Sequence, residues 1–176
     1  MKKVKAICMA LLAMVVMASC RGPQGPQGPQ GNANVASSTV TIHSNDWYWD
    51  NNTSWRVDID YRAITEDITD YGAVLVYMES GTNNWRQVPL TFYYSAVDSQ
   101  TGQEGFYSSS IEVASYDEGV SIFWTENDFF NGYRPDEHRF KIVVIAVSLY
   151  ESRSDVDYSN YEAVMKAFQL EDKTER

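Results

Sequence analysis

The most constraining feature of the sequence is a series of short apolar runs separated by polar turns. Between residues 55 and 62, apolar side chains alternate with Arg and Asp, which is typical of a strand with one face in water. Residues 73–78 and 140–147 are nearly continuous aliphatic and aromatic runs and are predicted to be central strands. Weaker strands are predicted at 38–43, 85–94, 106–114 and 120–124.

Turn-forming residues lie between these runs, at 80–84, 99–105 and 117–119. About seven strands with hairpin-sized connections predict an all-β fold, an antiparallel β-sandwich. An immunoglobulin-like Greek key is the most specific arrangement we expect. Pro89 interrupts its run and predicts an edge strand or a bulge at that point.

One helix is predicted near the C-terminus. Ser159 stands three residues before Glu162, which is the spacing of a capping box. The residues that follow form one apolar stripe at helical spacing: Tyr161, Val164, Met165 and Phe168. We expect this stripe to pack on the edge of the sandwich, with a partner-binding or membrane-lying helix as the alternative. Residues 171–176 form a tail of mixed charge.

The N-terminal segment has the organisation of a secretory signal. Lys2, Lys3 and Lys5 precede an uninterrupted apolar run at 6–18. This run is shorter than the roughly 20 residues that a helix needs to cross a bilayer. A charged start, a short apolar run and small residues at its end predict export rather than a buried N-terminal helix.

The end of this segment, Met17-Ala18-Ser19-Cys20, resembles the lipobox of bacterial lipoproteins. The resemblance implies a diacylglycerol thioether on Cys20, cleavage just before it, and acylation of the new amine. Each buried methylene contributes about 0.8 kcal/mol, so several acyl chains hold a soluble domain on a membrane. Arg21 stands where some bacteria have the aspartate that retains lipoproteins in the inner membrane, so we expect the outer membrane.

Residues 22–30 are three Gly-Pro-Gln triplets, closed by Gly31. Glycine at every third position is the collagen period, and nine polyproline II residues span about 28 Å. We expect a stiff spacer, with a weak trimer through the repeat as the alternative. Together with Cys20 and residues 31–34, the repeat resembles collagen-repeat-bearing lipoproteins of Gram-negative bacteria, a resemblance that implies no activity. The expected organisation is a signal peptide (1–19), a lipidated spacer (20–34), a sandwich (35–150), and a helix with a charged tail (151–176).

Charge and cysteine content exclude several function classes. The formal net charge is −10, and removing the three N-terminal lysines makes it more acidic, so nucleic acid is not an expected partner. Cys8 and Cys20 are the two cysteines of the chain. No cysteine follows Cys20, so the folded part has no disulfide, no thiolate metal site and no cysteine nucleophile.

The most unusual local feature is the run of three aromatic residues Trp47, Tyr48 and Trp49, within the acid- and amide-rich segment 45–52. Successive side chains on an extended backbone point to opposite sides, so we expect at least one ring to stay partly exposed. Phe130 and Tyr133 lie in a second aromatic loop. These five residues are candidate ligand contacts. The interpretations left open are closure of the core, a protein or self-association surface, and carbohydrate binding.

Metal and catalytic motifs give less. Asp46, Asp50 and Asp128 are candidate calcium ligands, but no stretch has the spacing of an EF-hand loop, and we expect no cofactor besides the covalent lipid. The chain has only two histidines and no Gly-x-Ser-x-Gly elbow, so no hydrolase triad is recognised. His138 is interpreted as a loop histidine flanked by solvated acids.

These observations predict a lipid-anchored interaction module outside the cytoplasm, without catalytic activity. Its expected role is protein binding or envelope structure, with membrane lipid as a partner through the anchor. A carbohydrate-binding accessory module that uses the loop aromatics is the alternative, and a glycan hydrolase is the third hypothesis.

Overall fold

A computed structural model of the protein describes residues 34–97, 102–127 and 134–170. These ranges contain nine strands, three α-helices and one 3-10 turn, Ser44–Asp46. The strands are β1 (Val35–Ile42), β2 (Tyr48–Asp50), β3 (Ser54–Asp60), β4 (Ala73–Glu79), β5 (Trp85–Val88), β6 (Leu90–Val97), β7 (Glu104–Tyr116), β8 (Gly119–Glu126) and β9 (His138–Ile145). The helices are α1 (Glu66–Tyr71), α2 (Val147–Ser152) and α3 (Tyr161–Phe168).

The strands form two sheets in which every neighbouring pair is antiparallel. The four-stranded sheet has the order β1-β9-β4-β5, and the five-stranded sheet has the order β2-β3-β8-β7-β6. The chain changes sheet between β1 and β2, between β3 and β4, between β5 and β6, and between β8 and β9. The predicted all-β class is confirmed at the level of two antiparallel sheets.

The described ranges hold more strands than the seven predicted, for two local reasons. Pro89 divides the predicted strand 85–94 into β5 and β6, which are edge strands of different sheets. Proline lacks the N–H that a continuous ladder needs, and here the chain leaves one sheet for the other. The second reason is β2, a strand of three residues in the aromatic segment 45–52. No alternation of apolar and polar residues there predicted a strand.

The period of two in β3 gives it one buried and one wet face, as predicted. Trp55 and Val57 point into the core, whereas Arg56, Asp58 and Asp60 line the opposite face. β3 pairs with β8 from Trp55↔Trp124 to Asp60↔Gly119. One face of the five-stranded sheet is therefore apolar and the other carries charge.

The two continuous apolar runs form β4 and β9, the inner strands of the four-stranded sheet, which confirms that they are central. Val76 and Ile142 pack in the core shared with the five-stranded sheet, together with Trp55 and Ile122 of that sheet. Val143, on the other face of β9, belongs to a second core. Both faces of these strands are covered, which is why their sequences do not alternate.

Helix α3 forms that second core with the outer face of the four-stranded sheet. Val164 and Phe168 are buried against Tyr77 and Val143, and the Tyr77 hydroxyl donates to the carbonyl of Tyr158 at 2.8 Å. The helix was predicted on the edge of the sandwich; it contacts Trp85 of the edge strand β5 through Tyr161, but most of its stripe covers the outer apolar face of β4 and β9. All described residues belong to one compact unit, residues 32–176.

The predicted N-cap of α3 is also wrong by one residue. The cap is Asn160, whose Oδ1 accepts a hydrogen bond from the Ala163 backbone N–H at 3.1 Å. Ser159 instead donates from Oγ to Asp157 Oδ1 at 2.6 Å. Asparagine and serine are both good caps, so the spacing to Glu162 alone does not decide between them.

The short helices α1 and α2 were not predicted, and each has six residues. Helix α1 has two acids in its first turn, which suits the helix dipole. It ends at Gly72, where a Cβ atom would lie 2.7 Å from the Ile145 carbonyl oxygen, so only glycine fits without movement. Among the helices of the described ranges, none has the length and apolar character to cross a membrane.

Candidate functional site

The structure separates the three adjacent aromatic residues of the 45–52 segment. Trp47 follows the 3-10 turn and is buried, with 2% of its surface exposed. Its ring makes edge contacts with Trp124 at 6.2 Å and Phe140 at 6.5 Å between centroids. Trp47 therefore closes the end of the shared core and offers no ring face to a ligand.

Tyr48 and Trp49 are the first residues of β2 and point to opposite sides of it, as the alternation predicted. Trp49 is half-buried and packs on Trp55 at 5.3 Å between centroids. Tyr48 is 43% exposed, on the outer face of the five-stranded sheet. The structure thus brings one of the three rings to the surface. The other two ligand candidates, Phe130 and Tyr133, lie outside the described residues.

Tyr48 belongs to a hydrogen-bonded cluster centred on Asp58. The Tyr48 hydroxyl donates to Asp58 Oδ2 at 2.6 Å, and Ser121 Oγ and Arg56 Nε donate to Oδ1 at 2.6 and 2.8 Å. The hydrogen bond to Asp58 raises the pKa of Tyr48 to about 12. Burial opposes ionisation of Asp58, but the bonds from Ser121, Tyr48 and Arg56 outweigh it and lower the pKa of that carboxyl.

The guanidinium of Arg56 completes this cluster by covering aromatic rings. It lies 5.3 Å from the centroid of Phe123 and 6.0 Å from that of Tyr48. Asp58 thus accepts three side-chain hydrogen bonds, and its charge is balanced by Arg56. The hydrogen bonds of Asp58 therefore link β2, β3 and β8.

Two of the three candidate calcium ligands lie in the described residues, and each has a protein partner. Asp46 accepts a hydrogen bond from the His43 backbone N–H at 2.8 Å, which closes the 3-10 turn. Asp50 lies 3.5 Å from Arg56, and Asp128 falls outside the described residues. Across the part of the chain that the structure describes, no three His, Cys, Asp or Glu side chains are grouped as metal ligands.

One of the two histidines, His138, differs from the sequence interpretation. His138 is the first residue of β9 rather than a loop residue, and its ring stacks on Trp124 at 4.9 Å. Burial of this ring lowers the pKa of His138 below its usual 6.5. His43 is exposed and lies 2.6 Å from Glu137.

Sequence reasoning missed a buried carboxylate at the end of β8. Glu126 lies just beyond the predicted strand 120–124, but it is only 6% exposed and accepts three hydrogen bonds. The donors are Tyr94 Oη at 2.6 Å, Ser109 Oγ at 2.8 Å and Trp124 Nε1 at 2.9 Å. The signal was present, because Val120, Ile122 and Trp124 point inward and the same period turns Glu126 inward.

A second missed feature is a polar cleft of about 380 Å³ beside α3. It joins the 80–84 turn to the residues that precede the helix and is lined by Asn83, Asn84, Trp85, Asp157, Ser159, Asn160, Tyr161 and Glu162. Amides and carboxylates of this kind bind hydroxyl-rich ligands. The Trp85 ring is only 8% exposed; it stacks on Tyr161 at 5.3 Å, and the Arg139 guanidinium lies 5.5 Å from its centroid.

A third feature is an exposed apolar surface on the β6–β7 hairpin. Tyr93 is 84% exposed, Phe106 82% and Val97 65%. Phe106 pairs with Ser95, which lies midway between the other two on β6. Residues two apart share a face of a strand, so these three side chains are neighbours on the outer face of the sheet. We call them the β6–β7 patch.

Comparison with known proteins adds no assignment. No protein-family model matches the chain, and neither a curated protein nor a solved structure matches it. The function must therefore be argued from the residues themselves.

Proposed function

We propose that the protein is a lipid-anchored binding module of the bacterial cell envelope. The Lys-rich start, the apolar run and Met17-Ala18-Ser19-Cys20 support export and acylation of Cys20. The Gly-Pro-Gln triplets then act as a spacer of about 28 Å between the acyl chains and the sandwich. Arg21 favours placement in the outer membrane.

Anchoring is tested by detergent-phase partition of membranes that contain the protein. The wild-type chain and a Cys8→Ser control should enter the detergent phase, because Cys8 lies within the segment that is removed. Cys20→Ser should lose the acyl chains and keep its leader. Equal partition and equal processing of the two variants would reject acylation at Cys20.

The β6–β7 patch carries the proposal of protein binding. Large apolar side chains that are more than four-fifths exposed cost free energy in water, at about 25 cal/mol for each Å². Exposed apolar clusters on an otherwise polar surface mark interaction sites. Asp58 and Glu126, by contrast, each accept three side-chain hydrogen bonds, which favours a structural role over proton transfer for these carboxylates.

A photo-crosslinking residue tests this role in cells. Placed at Phe106, it should capture a protein, and placed at Tyr71, which is 67% exposed on α1, it should not. Capture from both positions to the same extent would show that exposure alone accounts for crosslinking. Absence of capture from position 106 would count against protein binding at the patch.

We also propose that the two sheets form an immunoglobulin-like Greek key. Strands β6, β7 and β8 are joined in sequence and adjacent in space, and β3, which connects to β6 through β4 and β5, lies beside β8. This order supports a Greek key traced in reverse. The consecutive strands β3 and β4 lie in different sheets, and they pair with the consecutive strands β8 and β9, respectively. This pattern supports an immunoglobulin-like arrangement.

Carbohydrate binding is the second candidate function, and the polar cleft favours it over the aromatic segment. The cleft offers amides from Asn83 and Asn84 and carboxylates from Asp157 and Glu162, and its lining contains no cation. Since the Trp85 ring is only 8% exposed, recognition would depend on hydrogen bonds to sugar hydroxyls. An anionic glycan would be repelled.

A glycan array distinguishes this candidate. Binding of a neutral glycan should be abolished by Asn84→Ala and by Glu162→Gln, and kept by Trp49→Ala, with circular dichroism unchanged in all three. If only Trp49→Ala abolished binding, the glycan site would lie in the aromatic segment and not in the cleft. If no glycan bound, carbohydrate binding would be rejected.

A further inference from the structure

The β6–β7 patch belongs to the outer face of the five-stranded sheet, and this face is open. Helices α2 and α3 contribute to the second core, on the outer face of the four-stranded sheet. Helix α1 packs against the shared core through Ile68. Each helix of the described ranges therefore lies elsewhere, and aromatic rings on three strands of the open face are exposed: Tyr48, Tyr93, Phe106 and Tyr116.

The same face carries an excess of acidic side chains. Its acids are Asp50, Asp58, Asp60, Glu104 and Glu112, and Arg56 is the one cation on the described strands of this face. Arg56 is within ion-pair distance of Asp50 and Asp58, so its charge is balanced inside the face. Glu104 is the cross-strand partner of Val97, which places a carboxylate at the border of the patch. The patch is thus an apolar area within an acidic surface.

Charge indicates which partner fits this surface. Complementary potentials steer two proteins together, whereas like charges brought face to face oppose binding. A second copy of the chain would bring the same acids and a net charge of −10, so it would be repelled. An anionic lipid surface would be repelled for the same reason. A protein surface rich in Lys and Arg would be attracted.

The patch lies at the end of the sandwich opposite the start of β1. β1 runs from Val35 to Ile42, and Ile42 pairs with His138. His138 stacks on Trp124 of the other sheet, so these residues mark one end of both sheets. Phe106 precedes the first residue of β7 that pairs with β8, and it therefore lies beyond that end. The spacer proposed above joins the sandwich at Val35, which leaves the end with the patch accessible to a partner.

We propose that the outer face of the five-stranded sheet binds a basic protein. Apolar side chains of the partner would cover the β6–β7 patch, and its Lys or Arg side chains would lie opposite Glu104 and Glu112. The proposal rests on the protein-binding role of the patch and names the class of partner. Strands lie about 4.8 Å apart and rise about 3.3 Å per residue, so this face covers on the order of 600 Å². Each partner contributes about 800 Å² to a standard interface, so the face has nearly the required size.

Charge reversal combined with the Phe106 photo-crosslinker tests the proposal in the full chain. Glu104→Lys together with Glu112→Lys replaces two attractions by two repulsions. An exposed ion pair changes an affinity by up to about fivefold, so capture should fall about tenfold. Glu151→Lys is the matched control, because Glu151 is exposed on α2, on the other side of the sandwich, and should leave capture unchanged.

The neutral pair Glu104→Gln with Glu112→Gln should give a smaller loss of capture, with circular dichroism unchanged in all variants. In membrane extracts, raising the salt concentration from about 0.1 M to 1 M shortens the Debye length from about 10 to 3 Å and should also lower capture. Mass spectrometry of the crosslinked product should identify a protein with more Lys and Arg than Asp and Glu.

The outcomes separate this inference from the proposed function. Capture of a second copy or of an acidic protein would overturn the basic partner and leave protein binding at the patch intact. Capture that is insensitive to salt, or that falls equally with the reversals on β7 and on α2, would do the same. Capture of lipid, or no capture from position 106, would reject both.

Discussion

Replacing Trp47 by alanine decides whether this residue belongs to the core or to a ligand site. Trp47 is 2% exposed, and its ring contacts Trp124 and Phe140. Truncation of a buried tryptophan to alanine costs about 3–5 kcal/mol, which includes the cavity that it leaves. The expected effect is therefore on folding and not on binding.

An unsatisfied hydrogen-bond donor on Trp47 reduces the free energy of unfolding that is lost on truncation. The indole Nε1–H of Trp47 is buried and has no hydrogen-bond partner among the described residues. A buried unsatisfied donor costs about 1–3 kcal/mol, and alanine removes it. Subtracting about 2 kcal/mol, the middle of this range, leaves a net loss in free energy of unfolding of about 1–3 kcal/mol for Trp47→Ala. Trp47→Phe retains a ring and also removes the donor, so it should lose only about 1 kcal/mol.

Urea denaturation followed by far-ultraviolet circular dichroism measures both variants, since tryptophan fluorescence changes with the substitution itself. Tyr48→Ala is the matched control, because Tyr48 is the adjacent residue and is 43% exposed. Tyr48→Ala loses one exposed hydrogen bond to Asp58 and the contact of its ring with the Arg56 guanidinium, together about 1 kcal/mol. If Trp47→Ala costs no more than Tyr48→Ala, the placement of Trp47 in the core is refuted.

Three further predictions follow from the described contacts. Glu126→Gln weakens three hydrogen bonds to a buried carboxylate and should lower the free energy of unfolding by about 1–3 kcal/mol in urea; an unchanged midpoint would contradict the network. Burial lowers the pKa of His138, so the unfolded chain binds its proton more readily. The contribution of His138 to the free energy of unfolding is therefore present above pH 6.5 and should be lost as the pH falls through the folded-state pKa. When the free energy of unfolding is measured against pH, His138→Gln should remove this loss and His43→Gln should keep it. Asn160→Ala should cost about 1 kcal/mol by thermal denaturation and Ser159→Ala less; the reverse order would restore the capping box at Ser159.

Strand positions were largely predictable because a single strand carries its own signal. The alternation at 55–62 predicted β3, and the continuous runs predicted β4 and β9. The local pattern of apolar residues shows whether one or both faces of a strand are buried. The helices α1 and α2 were not predicted. Six residues are too few for a helical period to show, and such helices depend on packing against the rest of the fold.

The candidate sites were less predictable because they join distant segments. The polar cleft brings Asn84 beside Glu162, and the Glu126 cluster joins β6, β7 and β8. The sequence contains the members of such clusters but not their pairing. It also predicted that the 47–49 aromatics divide between two sides, but not that Trp47 would be the ring inside the core, because that depends on the register of β2 with β3.

The central claim is that a β-sheet binding domain is held at a membrane by acyl chains on Cys20. Intact-mass spectrometry of the native protein, purified from the membranes of its source organism, tests it most directly. We predict a chain that begins at Cys20, with the added mass of a diacylglycerol and an amide-linked acyl group. A chain that begins at Met1, or a Cys20 with an unmodified thiol, would contradict the claim.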